Sequence, residues 1–348
     1  MTLKPDRVRN KKSTEAATAL PPVLIANNLR KTYGSREAIR GLSFSLQSGR
    51  VLGLLGPNGA GKTTTIRVLT TILKPSSGEF FVDGTGSEHA EQIRRKIGVL
   101  PEGQGFPKGV TAIEYLTYFG ELYGRPAAEA RKVGLEQLSE LGLQNRTDSA
   151  IGTFSHGMRQ RLGIARALIN NPRVVFLDEP TLGLDPRGQQ ELLEIIRQIA
   201  RQRNAGVILS SHLLSEMESV CDDVVIMNAG AIVASGTLAE VMGRAPENGA
   251  LRNAARVRVR VPPESVGQAQ QILKKLPAVE QASSTDRSSG WLTVTLTEKG
   301  KGAASPDGLG KNKVLEALID AKIPIAGFET EGNRLQDVFL ELTSKAIQ

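Results

Sequence analysis

Apolar residues along this chain fall into two patterns. Short solid runs (VLGLL at 51–55, VVFL at 174–177, VIL at 207–209) each end in glycine, acidic or hydroxyl residues. Such runs read as strands buried on both faces of a parallel sheet, with helices between them. The stretch from about 103 to 170 breaks that rhythm and reads as wholly helical. Thr111 and Glu114 have capping-box spacing and open TAIEYLTYFGELYG, which Gly124 and Pro126 end. AAEARKVGLEQLSELGL follows, with Val133, Leu135, Leu138 and Leu141 at helical spacing. After residue 256 the period changes to two. In RVRVRV, Val257, Val259 and Val261 share one strand face and Arg256, Arg258 and Arg260 the other; WLTVTLT repeats the alternation. VGQAQQILKKL and KVLEALIDA are amphipathic, and RLQDVFLELTSKA sets Leu335, Val338, Phe339 and Leu342 on one helix side.

These patterns predict an α/β core at 23–243, with its helical subdomain at about 103–170. A linker at 244–255 and a small α+β unit at 256–348 follow, the latter of ferredoxin-like cast with a loop near 299–312. Residues 1–22 read as a disordered basic tail. A chain of 348 residues is long enough for this division. The net charge is +8, and Lys4, Arg7, Arg9, Lys11 and Lys12 supply part of it. That excess admits nucleic acid or an anionic membrane surface as a partner, or simply a solvated tail; charge alone does not decide. No apolar run is long enough to span a bilayer, and no secretory leader is legible. The single cysteine, Cys221, rules out an intramolecular disulfide, fits the cytosol and reads as a small core residue.

The chemistry begins at GLLGPNGAGKTTTIRVL. Gly56, Gly61, Lys62 and Thr63 fit the phosphate-loop pattern, between an apolar strand and a helix as that pattern requires. The backbone of Gly56, Pro57, Asn58, Gly59, Ala60 and Gly61 is expected to wrap phosphate oxygens, with Lys62 on the β- and γ-phosphates. Thr63 would bind Mg²⁺, beside Thr64. VVFLDEP ends in two carboxylates: Asp178 for Mg²⁺, and Glu179 as general base toward water. VILSSH ends at His212, placed to meet a γ-phosphate. TFSHGMRQRLGIARAL has the form of a second anion-binding helix start, at Ser155, His156, Gly157 and Met158.

Taken together, GPNGAGKTT, FSHGMRQR, VVFLDEP, the turn GLDP and SSH resemble the ATPase domain of ATP-binding cassette (ABC) transporters over about 23–243. The resemblance implies a P-loop NTPase fold and a head-to-tail pair of ATPase domains. Ser155 to Met158 of each would then close over the ATP held by the other, with Asp185 at the interface. It also implies adenine stacking on Tyr33, and Glu102 where the family carries a metal-reaching glutamine. Phe154, His156 and Met158 depart from the family's Leu-Ser-Gly-Gly-Gln. LPEG…FPKGVTAIEYL and the ending LQDVFLELT look most like the ATPase subunits of ABC-2 type exporters for multidrug, antibiotic and sodium efflux. That likeness implies a dimer on the cytoplasmic face of the plasma membrane, a homodimer or a pair with a paralogous ATPase. It also implies a separate integral-membrane permease, docked by a helix near Glu102 to Gly109, and no nucleic acid. A soluble ATPase acting on ribosomes or DNA is the alternative. So is a nucleotide-gated scaffold with little turnover, which Glu102 and His156 keep open.

Overall fold

The computed structural model describes residues 21–103, 105–211, 213–243, 256–284, 289–296, 309–331 and 335–344. Residues 1–20 of the predicted basic tail, the 244–255 linker, most of the 299–312 loop and His212 lie outside the described residues. Along the chain run β1 (Leu24–Tyr33), β2 (Arg36–Leu46), β3 (Val51–Leu55), α1 (Lys62–Leu69), β4 (Ser77–Val82) and β5 (Thr85–Gly86). Next come α2 (Ala90–Lys96), β6 (Ile97–Leu100), α3 (Ala112–Leu122), α4 (Ala127–Glu140), α5 (His156–Leu168) and β7 (Val174–Asp178). They lead to α6 (Pro186–Arg203), β8 (Gly206–Ser210), α7 (Leu214–Val220), β9 (Asp223–Asn228), β10 (Ala231–Thr237) and α8 (Leu238–Gly243). The smaller unit holds β11 (Arg256–Arg260), α9 (Val266–Lys274), β12 (Val279–Ser283), β13 (Trp291–Leu296), α10 (Leu309–Asp320) and β14 (Gly327–Glu331). The last helix is α11 (Leu335–Ser344).

The solid apolar runs become the middle of a six-stranded sheet ordered β10-β9-β3-β8-β7-β6, parallel except for β10. Every residue of β3, β7 and β8 is buried, as expected of parallel strands covered on both faces. An antiparallel sheet, β2-β1-β4-β5, closes one face over a core that includes Leu24, Leu42, Phe80 and Phe176. Helices cover the other face. The entry to the central strand is pinned by charge: the Arg50 guanidinium forks onto Asp223 at 2.6 and 2.7 Å, which raises its pKa. Asp222 accepts the Val51 N–H at 2.9 Å.

Among the described residues between β6 and β7, the regular elements are helical. The predicted capping box forms: the Glu114 N–H donates to Thr111 Oγ1, and the Thr111 N–H donates to Glu114 Oε2. Gly124, at φ 88°, follows the end of α3. One expected core residue falls elsewhere. Leu135 is 40% exposed because the buried face of α4 is Ala130, Gly134 and Leu138, with Gly134 close against Ile113 and Leu116 of α3. A leucine at 135 is turned past that seam.

The smaller unit has the order β12-β13-β11-β14, all antiparallel, with strand and helix succession βαββαβ. That is the ferredoxin-like arrangement. Its strand β12, VEQAS, carries too few apolar residues for periodicity to have found it, and α10 starts at Leu309, inside the stretch read as loop. Val257, Val259 and Val261 point into its core as the alternation requires. The final helix does not join that core. Leu335 and Val338 belong to the core of the larger unit, and α11 packs on α7, α8 and β10. Glu218 of α7 accepts the Leu335 N–H at 2.6 Å, and Asn228 Nδ2 donates to the Thr343 carbonyl at 3.2 Å. The chain leaves the large unit, builds a second sheet, and returns.

Gly98 lets α5 lie close on β6: a Cβ there would sit 2.1 Å from the Ala167 carbonyl oxygen. Gly98→Ala is therefore expected to cost about 2–3 kcal/mol of stability, read as a lowered melting temperature. Cys221 is buried, and burial pushes its thiol pKa well up. Maleimide labelling should be negligible in the native protein and complete in guanidinium; rapid native labelling would contradict this packing.

Candidate active site

β3 ends at Leu55, and the chain then turns back over the start of α1. Gly59 and Gly61 take φ of 81° and 104°, which a side chain adopts only with strain. At Gly61 an added Cβ would also meet the Ala38 carbonyl at 2.7 Å. No side chain caps α1, and its first turn holds no acid. Its first N–H groups and positive dipole end are thus left for an anion. Lys62 bends back across the loop and donates to the carbonyls of Gly56 at 2.7 Å and Pro57 at 3.3 Å. Burial lowers its pKa, while Glu179 and Asp178 oppose that shift. The lysine is held in place before any phosphate arrives.

Across the sheet, Asp178 ends β7 directly opposite Ser210 of β8. Ser210 Oγ donates to Asp178 Oδ1 at 2.5 Å and accepts the Glu179 N–H at 3.1 Å. The same N–H reaches the Ser210 carbonyl at 3.1 Å. Glu179 itself stands at φ 49°, a left-handed conformation uncommon for a side-chain-bearing residue and concentrated at functional sites. The turn separates the two carboxylates: Asp178 is buried at 5% exposure, whereas Glu179 faces a cleft.

That cleft, of about 590 Å³, gathers most of the sequence-predicted residues. Asn58 to Thr64 form its floor, with Tyr33, Glu102 and Glu179 on its walls. Tyr33, 46% exposed at the end of β1, offers a ring face to a planar ligand, with Lys31 Nζ 5.4 Å from its centroid. Gly56 and Pro57 lie behind the lining, as the carbonyls that hold Lys62. Ser155, His156, Gly157, Met158 and Asp185 do not line the cleft of their own chain. Ser155 caps α5 by accepting the Met158 N–H at 3.2 Å, and Asp185 caps α6 by accepting the Gly188 N–H at 2.6 Å. His156 Nε2 lies 2.8 Å from the Leu182 carbonyl. A carbonyl only accepts, so this contact is a hydrogen bond in the tautomer that protonates Nε2; Gln160 Nε2 lies 3.4 Å from the same nitrogen. Leu182 lines the cleft, and the histidine thereby ties the start of α5 to the turn that follows Glu179.

Sequence reasoning did not single out Ser210, Arg36, Ala38 or Leu182. Ser210 follows a buried apolar run as many serines do; its partner is visible only once β7 and β8 are in register. The donor set suits a hard cation as well as a triphosphate. Among the described residues no three His, Cys, Asp or Glu side chains cluster to hold a metal. A magnesium ion needs no such cage, since water and phosphate oxygens complete its shell.

A family model described as ABC transporter matches residues 39–182. The linearmycin resistance ATP-binding protein of Bacillus subtilis (strain 168) is 38% identical over 224 residues, 64% of this chain and 71% of that protein. The bacitracin transport ATP-binding protein of Bacillus licheniformis is 40% identical over 213 residues, 61% of this chain and 68% of that one. A solved ATP binding subunit of an ABC transporter superposes with a TM-score of 0.57 at 31% identity, covering 64% of this chain and 92% of that one. With its phosphate loop, carboxylate pair and sheet order in place, the chain belongs to the ABC transporter family, as one of its ATP-binding ATPases.

Proposed function

We propose that this chain is the ATP-hydrolysing subunit of an ABC-2 type exporter, working as a pair of copies beside a separate membrane permease. The observation that carries the reading is the division of the anion-binding parts. The cleft gathers the phosphate loop and Glu179, while the second helix start at Ser155 to Met158 stays outside it. Each cleft is then half a site, completed by the α5 N-terminus of another copy. Names of the similar proteins, linearmycin resistance and bacitracin transport, favour export. No helix among the described residues is long and apolar enough to cross a membrane, and this reading assigns the pathway to another protein. An open groove of about 240 Å³, with Ile72, Phe119 and Tyr123 on its walls and none of residues 102–109, where the resemblance put the docking place, suits a docking helix of that permease. Peripheral attachment to the cytoplasmic membrane face follows from such docking.

In this reading Tyr33 stacks on adenine and the α1 N–H groups and Lys62 hold the β- and γ-phosphates. Thr63, Asp178 and Glu102 are the residues that would hold Mg²⁺, which supplies charge neutralisation between the phosphates when bound. Glu179 accepts a proton from the water that attacks the γ-phosphorus, and the bond to the β–γ bridging oxygen breaks to give ADP and phosphate. Loss of the γ-phosphate removes charge-assisted hydrogen bonds between copies, and the pair opens. Glu102 adds a negative charge beside the triphosphate; the scaffold reading, with little hydrolysis, would hold if that charge dominated.

Glu179→Gln is expected to lower kcat at least about a hundredfold while leaving ATP bound. Lys62→Ala should weaken ATP binding by about tenfold to a hundredfold. Hydrolysis assays with nucleotide titration check both, and a wild-type protein that never hydrolyses ATP would favour the scaffold. For the paired site, Asn58→Cys and Ser155→Cys in the Glu179→Gln background should form an intermolecular disulfide only with ATP present. The buried Cys221 does not compete. Absence of that cross-link under oxidation, with ATP bound, would refute the shared site.

A further inference from the structure

Behind the cleft lies a buried carboxylate to which the mechanism assigns nothing. Glu216, in the first turn of α7, is 5% exposed. Its Oε2 accepts Thr181 Oγ1 at 2.8 Å and Ser211 Oγ at 2.7 Å, while Oε1 is buried with no hydrogen-bond partner. Thr181 and Ser211 are themselves buried, at 1% and 0%. A carboxylate so placed is costly, and α7 does not need it as a helix cap: the side chain bonds to two loops outside its own helix. Those loops are the two that meet at Glu179.

The bonds close a ring. From Glu179 the chain runs through Pro180 to Thr181, whose hydroxyl donates to Glu216. Glu216 takes the Ser211 hydroxyl, Ser211 follows Ser210, and Ser210 accepts the Glu179 N–H through both its hydroxyl and its carbonyl. Inside that ring Glu179 holds φ 49°. A strained backbone of this kind persists only where the surroundings over-determine it. The geometry points to Glu216 as a positioning residue for Glu179. It fastens the loop after the carboxylate to the loop that grips the carboxylate's own N–H, and so holds the side chain where it meets water in the cleft. Cutting the ring at Glu216 frees Thr181 and lets Glu179 relax, without touching the phosphate loop.

This inference rests on the reading of Glu179 as general base. The experiment uses the full chain with ATP and Mg²⁺, and compares kcat, KM and the ATP dissociation constant. Glu216→Leu is expected to lower kcat at least about tenfold, as misplacement of a reacting group does, with ATP affinity within about twofold. Glu216→Gln, whose amide oxygen can accept the same two hydroxyls, should recover kcat to within about threefold of the wild type. Thr181→Val should lower kcat alone but add little on top of Glu216→Leu, because both cut one ring. Should Glu216→Leu fail to fold, the Thr181→Val/Ser211→Ala pair makes the same cut with smaller changes and should show the same selective loss of kcat. The proposal is overturned if the variants turn over like the wild type. It is equally overturned if ATP affinity falls in step with kcat, or if the two cuts multiply as independent effects. A hydrolysing wild type with unaffected ring variants defeats this inference alone; a Glu179→Gln variant that hydrolyses normally defeats the underlying reading.

Discussion

Parallel pairing of β7 with β8 sets Asp178 against Ser210, and the rest of the site depends on that one register. A slip of one residue would turn every side chain of a strand to the opposite face and undo it. Such a slip is opposed because it would leave the buried Asp178 carboxylate without the Ser210 hydroxyl. Asp178 and Glu179 are adjacent in sequence yet occupy different environments, one buried beneath the cleft and one facing it. The left-handed turn at Glu179 achieves that separation, and Ser210 holds both sides of it.

Opposite this pair, Lys62 is held by carbonyls of its own loop. Its ammonium is desolvated by burial and steadied by the two carboxylates. A positive group kept between acids and the uncapped N-terminus of α1 is ready for a triphosphate with little rearrangement, which is where such sites gain most of their effect. The departures from the family's second anion-binding segment gain meaning from the same geometry. His156 bonds within its own chain to the Leu182 carbonyl, joining the start of α5 with the turn leaving Glu179. In the proposed pair, that contact links a copy's own carboxylate to the site of its mate.

The smaller sheet is less detached than its sequence position implies. It builds a core of its own, but α11 returns to bury Leu335 and Val338 in the larger unit, with Glu218 and Asn228 meeting its two ends. A helix that α11 packs on, α7, also carries Glu216. This packing was not legible, since the apolar side of α11 fits either core equally well by its spacing.

Local chemistry determined a great deal from sequence alone. Solid apolar runs named the buried strands, Thr111 and Glu114 named a helix start, and the glycines of the phosphate loop marked a backbone that must turn close to a ligand. These are interactions between residues a few positions apart, so their pattern survives in one dimension. The tertiary structure decided what joins residues more than twenty-five positions apart: Ser210 on Asp178, Thr181 on Glu216, His156 on Leu182, and α11 on α7. A hydroxyl or a histidine has no period, and each bond here spans separate elements. Only the packing of the sheet brings the donors within reach of their acceptors.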